Sequence, residues 1–254
     1  MVSVMFAYEG WQNVTFVAGE IREPQRNIPR ALFVGLTLVI LLYAAVNLAF
    51  HGVLSMEEVA SSKSGVAQEV TTRLLGPAAG GAISLLILFS TIGSLNGVVL
   101  ANPRVLFAMG KDYPLIGRMA RIHPLYGTPA TALLTLFVVS GLYLVAAGMF
   151  VVFNPGKDLF GILSKYMVFA TSIFYFLSVL ASVVLRVRRP EVERPFRIPL
   201  FPLVPLLFLS LYGWFLWNIG FEQPVEAGIG LGVIFAGLVV YFLVFSRGGR
   251  EGPG

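Results

Sequence analysis

One carboxylate, Glu9, stands inside an apolar run that extends from Met1 to Gly19, with Phe6, Ala7 and Tyr8 before it and Gly10 and Trp11 after it. An ionisable group at bilayer depth is costly unless it faces a protein interior or a water-filled cavity, so such a residue marks a functional site by default. The neighbours Gly10, Gln12, Asn13 and Thr15 suit a lipid-facing helix poorly. They suit a broken helix that lines a binding site. The chemistry these residues offer is recognition. No Ser/His/Asp set, paired aspartates or H-E-x-x-H motif lies in the apolar runs, and no glycine-rich phosphate loop ends in Gly-Lys, so intramembrane hydrolysis and ATP-driven transport have no residues to perform them. His51 and His123 are far apart and make no metal set, and the chain has no cysteine. Disulfides, thiolate metal sites and a thiol nucleophile are therefore excluded.

The elements that must position Glu9 belong to a membrane protein. Hydrophobic residues make up 57% of the chain and charged residues 12%, with a mean hydropathy of +0.82. A soluble domain carries roughly twice that charge. The apolar runs are continuous and about twenty residues long, as membrane helices require, whereas barrel strands alternate over about ten. The chain reads as an all-α polytopic membrane protein, a single transmembrane domain over 1–254, with spans near 2–19, 30–53, 78–101, 129–153, 159–185, 200–219 and 225–246. Pro29, Pro77, Pro129 and Pro199 are expected to open four of these, since proline suits a first helical turn. Residues 102–128 mix Arg104, Lys111, Arg118 and Arg121 with apolar positions, which fits a helical hairpin lying on one membrane face.

Charge orients the spans. One set of loops holds 14 basic residues: three in 22–30, four in 104–121, five in 186–197, and Arg247 and Arg250. The alternate loops hold 3, namely Lys63, Arg73 and Lys157. Basic loops stay in the cytoplasm, so the C-terminus is expected inside and Met1 outside. The net charge of +5 reflects these loops and does not imply nucleic acid as a partner. With only eight residues ahead of Glu9, Met1 is read as an internal point of a longer transporter.

The stretch Phe6-Ala7-Tyr8-Glu9-Gly10-Trp11-Gln12-Asn13, followed by Glu20 to Ala31, resembles the sixth helix and following loop of amino-acid permeases of the amino acid–polyamine–organocation superfamily, particularly the L-type amino-acid transporter branch. Arg104 to Asp112 resembles the loop after that family's eighth helix, and Arg186 to Arg197 the loop after its tenth. The resemblance implies a partial LeuT-like inverted-repeat transporter fold, running from the end of helix six through helix twelve: six full transmembrane helices plus one truncated. It also implies that Phe6 to Gly10 are the unwound stretch whose backbone carbonyls receive a substrate ammonium group, with the Phe6 ring closing over the ligand. An interfacial aromatic belt of Phe6, Tyr8 and Trp11 is the plainer alternative.

Glu9 departs from the glycine found in several neutral amino-acid carriers of that branch, while an acidic residue resembles what bacterial members carry here. Four readings stand open for it: preference for a cationic substrate, a proton relay, a pair with a group on a helix outside this chain, or exposure at a frayed end. Lys165, the one basic residue within a span, is expected to snorkel to the interface, with a counter-ion or gate role toward Glu9 as the alternative. Gly93 and Gly97 form G-x-x-x-G, a helix-packing spacing. Ser94 or Asn96 beside them could line a substrate path, and Thr171 aligns loosely with a polar position near substrate in the family. The loop from Glu20 to Arg30 is read either as an inner gate or as a plain solvated loop.

The function expected is secondary-active amino-acid transport, with Phe6, Ala7, Tyr8, Glu9, Gly10, Asn13, Ser94 and Thr171 as substrate-binding residues. The alternative is a transport-incompetent membrane scaffold or interaction protein. No enzyme activity, metal or cofactor is expected. The partners are an amino acid, the lipid bilayer and, under the resemblance, a coupling ion, with no disulfide-linked subunit. The expected location is the plasma (inner) membrane.

Overall fold

The computed structural model describes residues 2–62, 65–154, 156, 159–222 and 224–245. Among these the secondary structure is entirely helical: α1 Val2–Ala7, α2 Asn13–Phe16, α3 Pro24–Val53, α4 Met56–Ser61, α5 Val66–Leu75, α6 Pro77–Ala101, α7 Pro103–Asp112, α8 Ala130–Phe153, α9 Leu159–Arg188, α10 Leu203–Glu222 and α11 Pro224–Val240. Short 3₁₀ turns cover Ala18–Glu20 and Pro114–Ala120, and a π-helical turn covers Tyr241–Phe245. Five helices are long and apolar enough to cross a membrane: α3, α6 with its continuation into α7, α8, α9 and α10. Nothing in the most apolar windows of α3, α6 and α8 is buried within the chain. Side chains such as Phe33, Leu88 and Phe137 stand mostly exposed, a pattern that only a non-aqueous surrounding tolerates. This is an all-α polytopic membrane protein.

Several boundaries differ from the sequence reading. The second span begins at Pro24, with Pro29 inside the helix, because Pro24 already supplies the proline-compatible first turn. Pro29 then forfeits one backbone bond near the start of α3. Pro77 does open α6, whereas Pro129 stands one residue ahead of α8 and Pro199 lies outside any helix, with α10 starting at Leu203. The connection after α6 is a folded-back pair, α7 and the Pro114–Ala120 turn, held close because Gly110 has no side chain: a Cβ there would stand 2.7 Å from the Ala120 nitrogen. The end of the seventh span and the basic residues Lys63, Lys157, Arg247 and Arg250 lie outside the described residues.

The chain divides into two compact units, Met1–Gly10 with Val105–Gly254, and Trp11–Arg104. In the first, α9 is the central element, packed against α1, α8, α10 and α11. Its Val168 and Phe169 join Phe215, Ile219 and Ala227 in a buried cluster, to which Val2, Met5 and Phe6 of α1 add an apolar stripe at helical spacing. Gly230 of α11 leaves the room that the Phe169 ring needs, since a Cβ would stand 2.7 Å from it.

In the second unit α5 lies along α6, with Gly80 buried where any Cβ would overlap the Thr72 hydroxyl. Two short helices, α4 and α5, fill the connection between α3 and α6. Ser55 and Glu58 cap α4 reciprocally: the Glu58 amide donates to Ser55 Oγ at 3.3 Å and the Ser55 amide to Glu58 Oε2 at 2.8 Å, a capping box. Arg73 of α5 donates to Glu58 Oε1 at 2.7 Å and to the Val53 carbonyl at 3.1 Å, tying α5 to α4 and to the end of α3.

The Arg73 hydrogen bond, with the Ser55 amide and hydroxyl behind it, holds the Glu58 carboxyl down at about 2. A carboxyl depressed on folding stabilises above its unfolded range and loses that contribution only as pH falls through the folded value. The Arg73–Glu58 tie is therefore expected to persist through mildly acidic pH and to fail only near pH 2. Arg73→Gln is expected to return Glu58 toward its ordinary value near 4.5, as read by carboxyl-carbon NMR titration.

Candidate functional site

The first apolar run is not one helix. Its α1 portion is held by Val2, Met5 and Phe6 against the cluster on α9 and α10, and the Phe6 ring meets Phe160 edge-on at 5.2 Å. The helix then tightens and stops. The Tyr8 amide donates to the Met5 carbonyl at 3.3 Å and the Glu9 amide to the Phe6 carbonyl at 3.0 Å, the three-residue closure typical of a helix end. Gly10 has φ +109°, a conformation that a residue with a Cβ rarely adopts. The next helix, α2, begins at Asn13. The break is thus Tyr8 to Gln12, two residues later than the Phe6-to-Gly10 expectation. Phe6 and Ala7 are still helical because the apolar stripe on α1 anchors that turn.

Glu9 lies at this break. Tyr175 of α9 donates its hydroxyl to Glu9 Oε1 at 2.5 Å, so a residue 166 positions away in sequence holds the carboxylate. Exposure at a frayed end does not describe it. Tyr175 stands edge-on to Tyr212 of α10 at 6.3 Å, and Tyr212 stacks on Phe208 at 4.2 Å. These rings make an aromatic wall behind the carboxylate, with the polar ends of the tyrosines turned to use. Thr171 lies one turn before Tyr175 on the same side of α9. Its hydroxyl donates back to the Met167 carbonyl at 2.9 Å, which leaves its oxygen as an acceptor.

Lys165 is half-buried in α9, ten residues and about 15 Å of helix rise from the tyrosine that holds Glu9. It is not the counter-ion of Glu9, and it pairs with no carboxylate among the described residues. A cavity of about 460 Å³ opens between α8, α9 and α11, lined by Tyr143, Phe150, Tyr166, Met167 and Val233 among others. It is strongly apolar and contains none of the eight expected site residues.

Asn13 and Ser94 belong to the second unit, where α2 lies against α6. Ser94 is exposed, and neither Gly93 nor Gly97 has anything within 4 Å of where its Cβ would stand. Their close-packing spacing meets no partner among the described residues. In the loop before α3 only a loose pair forms locally, Arg26 with Glu23 at 3.8 Å. The firm contact reaches across 84 residues: Arg104 Nε and Nη2 donate to the two Glu20 oxygens at 2.6 and 3.0 Å. That bidentate bond is the main cause holding the Glu20 carboxyl below its ordinary value.

Sequence reasoning missed Tyr175 and Tyr212, and it looked for the partners of Glu20 within the loop. A signal for the tyrosines existed. A phenol within an apolar span carries a hydroxyl that needs a partner, and the unsatisfied carboxylate was already in view.

The family model for amino acid permeases matches residues 1–245. The chain belongs to the amino acid permease family. It is 31% identical over 249 residues to a serine/threonine exchanger of Bacillus subtilis, covering 97% of this chain and 54% of that protein. It is 34% identical over 240 residues to the human large neutral amino acids transporter small subunit 2, covering 94% of this chain and 42% of the relative. Against the mouse b(0,+)-type amino acid transporter 1 it is 31% identical over 239 residues, with 94% and 46% covered. The chain spans about half the length of the known relatives it matches.

Tyr175→Phe keeps the ring packed on Tyr212 and removes only the donor. A hydrogen bond to a charged acceptor contributes about 1.5–3 kcal/mol, so this variant is expected to lose about that much stability in detergent unfolding titrations. Tyr143→Phe, whose hydroxyl meets no partner among the described residues, is expected to stay within about 0.5 kcal/mol.

Proposed function

We propose that this chain is the C-terminal, substrate-holding part of a secondary amino-acid carrier. The observation that carries the reading is the interrupted helix at Tyr8 to Gln12, with Glu9 held from α9 by Tyr175, in a member of a family whose relatives are named as amino-acid transporters and exchangers. A helix interrupted at membrane depth presents backbone groups and a terminus to a ligand where a continuous helix cannot. In this reading the backbone from Ala7 to Gly10 and the Glu9 carboxylate receive the α-ammonium group. The Phe6 ring covers the ligand, and the Thr171 oxygen lies one turn away along α9. Asn13 and Ser94 keep a proposed substrate-path role within their own unit, and the rest of the carrier completes the site.

The Tyr175–Glu9 bond ties the break to α9 and must loosen if the two move apart. Arg104–Glu20 does the same service within the other unit, as an ion pair strong enough to hold a closed state and exposed enough to open. Transport would then be exchange or ion-coupled movement driven by gradients. The 14-to-3 distribution of basic residues between alternate loops supports a cytoplasmic C-terminus.

The test is a chimaera in which this chain replaces the matching residues of the Bacillus subtilis exchanger, assayed in proteoliposomes for saturable exchange of labelled serine and a panel of neutral amino acids. Saturable exchange of at least one amino acid is expected, with Tyr175→Phe weakening the apparent affinity about tenfold or more, because the carboxylate loses the donor that orients it. An inert chimaera that inserts and folds would favour the scaffold reading. Glu9→Gln with unchanged substrate range and pH dependence would remove the carboxylate from the site. Orientation is checked separately, since the chain lacks cysteine. A membrane-impermeant maleimide should label Ser61→Cys from outside intact cells and Arg118→Cys only after permeabilisation.

A further inference from the structure

The connection from α9 to α10 carries charge that the fold does not consume. The 30 residues of α9 span about 45 Å, against a hydrocarbon core of about 30 Å, so its last turn and the following loop stand at headgroup level. Residues 186–197 hold five arginines and two glutamates. Arg194 is structural: it donates to the carbonyls of Val192 at 2.6 Å, Arg189 at 2.7 Å and Leu185 at 3.3 Å, closing the carbonyl end of α9. Arg186 lies over the Phe201 ring at 3.9 Å. Arg188, Arg189 and Arg197 are exposed and pair with no carboxylate among the described residues.

Apolar side chains alternate with these cations. Val187 and Leu200 are each 72% exposed, and Val192 and Phe196 each 52%. A loop facing only water has no use for four such residues. At the membrane boundary they enter the acyl region while guanidinium groups reach phosphates, which Arg grips with two parallel donors. A cavity of about 450 Å³ lies within the loop, walled by Arg186, Arg194 and Arg197 together with Glu191 and Glu193.

We propose that the α9–α10 connection is a seat for the phosphate headgroup of an anionic phospholipid. Arg188, Arg189 and Arg197 supply the charge, Val187 and Leu200 contact the acyl chains, and the Arg194 scaffold fixes the loop. A free phosphate shares the charge contact but lacks the apolar one. This assignment is independent of transport and needs only the membrane setting.

The test is native mass spectrometry of the purified chain with equimolar phosphatidylglycerol and phosphatidylcholine of matched acyl chains. Each cation beside an anionic headgroup contributes about a fivefold factor. The unaltered chain is therefore expected to retain phosphatidylglycerol about tenfold or more over phosphatidylcholine, and the preference is expected to fall as salt rises. The R188Q/R189Q/R197Q variant should lose that preference, R188K/R189K/R197K should keep most of it, and R118Q/R121Q in the connection between α7 and α8 should leave it intact. Millimolar inorganic phosphate should not displace the lipid. The proposal is overturned by equal retention of the two lipids, by a preference that survives in the triple glutamine variant, by its loss in R118Q/R121Q, or by displacement with phosphate.

Discussion

A carboxylate surrounded by apolar side chains has no water to turn to, and hydrocarbon supplies no hydrogen bond. Much of the first unit can be understood from how Glu9 meets that constraint. The donor comes from α9, through the Tyr175 hydroxyl, and the two helices must therefore lie together. The stripe of Val2, Met5 and Phe6 against the α9 cluster supplies that proximity without polar groups. Gly10, with its positive φ, lets the chain turn away as soon as the carboxylate is in place. The aromatic wall of Tyr175, Tyr212 and Phe208 fills the space behind the pair with packed rings.

The polar ties of the second unit operate under a different regime. Arg73–Glu58 and Arg104–Glu20 lie at helix ends, with side chains partly open to solvent. Pairs of that kind contribute little individually unless their geometry is good. Here it is good: Arg104 grips both oxygens of Glu20, and Glu58 is also held by its own capping box. They orient loops between spans, a task at which a reversible contact is an advantage. The membrane-depth pair, by contrast, has no alternative partner in the lipid and holds the broken helix to its neighbour.

Much of the architecture was legible because the bilayer simplifies the reading. Long apolar runs such as those of α6, α8 and α9 must be helical, since hydrocarbon leaves no other way to pair backbone groups. Their observed limits, Pro77–Ala101, Ala130–Phe153 and Leu159–Arg188, fall within a few residues of the expected ones. Where water competes, the reading weakened. The helices α4 and α5 went unanticipated in a polar connection although Ser55 and Glu58 spell a capping box, and the start of α3 was set at Pro29 when Pro24 already met the same requirement. Gly10, Gln12, Asn13 and Thr15 marked a broken helix from their types alone, but the span of the break depended on the packing of Phe6.

By itself, the sequence determined that this chain is a helical membrane protein of the amino acid permease family, and that an ionisable group stands within its first apolar run. The helical membrane class follows from hydrophobic length, and the ionisable group from its residue type, whereas the family rests on the resemblance carried by Phe6 to Asn13, Arg104 to Asp112 and Arg186 to Arg197. Only the tertiary structure decided which groups answer that carboxylate and the loop charges. Tyr175 reaches Glu9 across 166 positions and Arg104 reaches Glu20 across 84, while among the described residues Lys165 pairs with no carboxylate and Gly93 meets no packing partner. A hydrogen bond or ion pair has a range of a few ångströms, and proximity on that scale is set by how helices pack, which residue types and spacing along the chain do not contain.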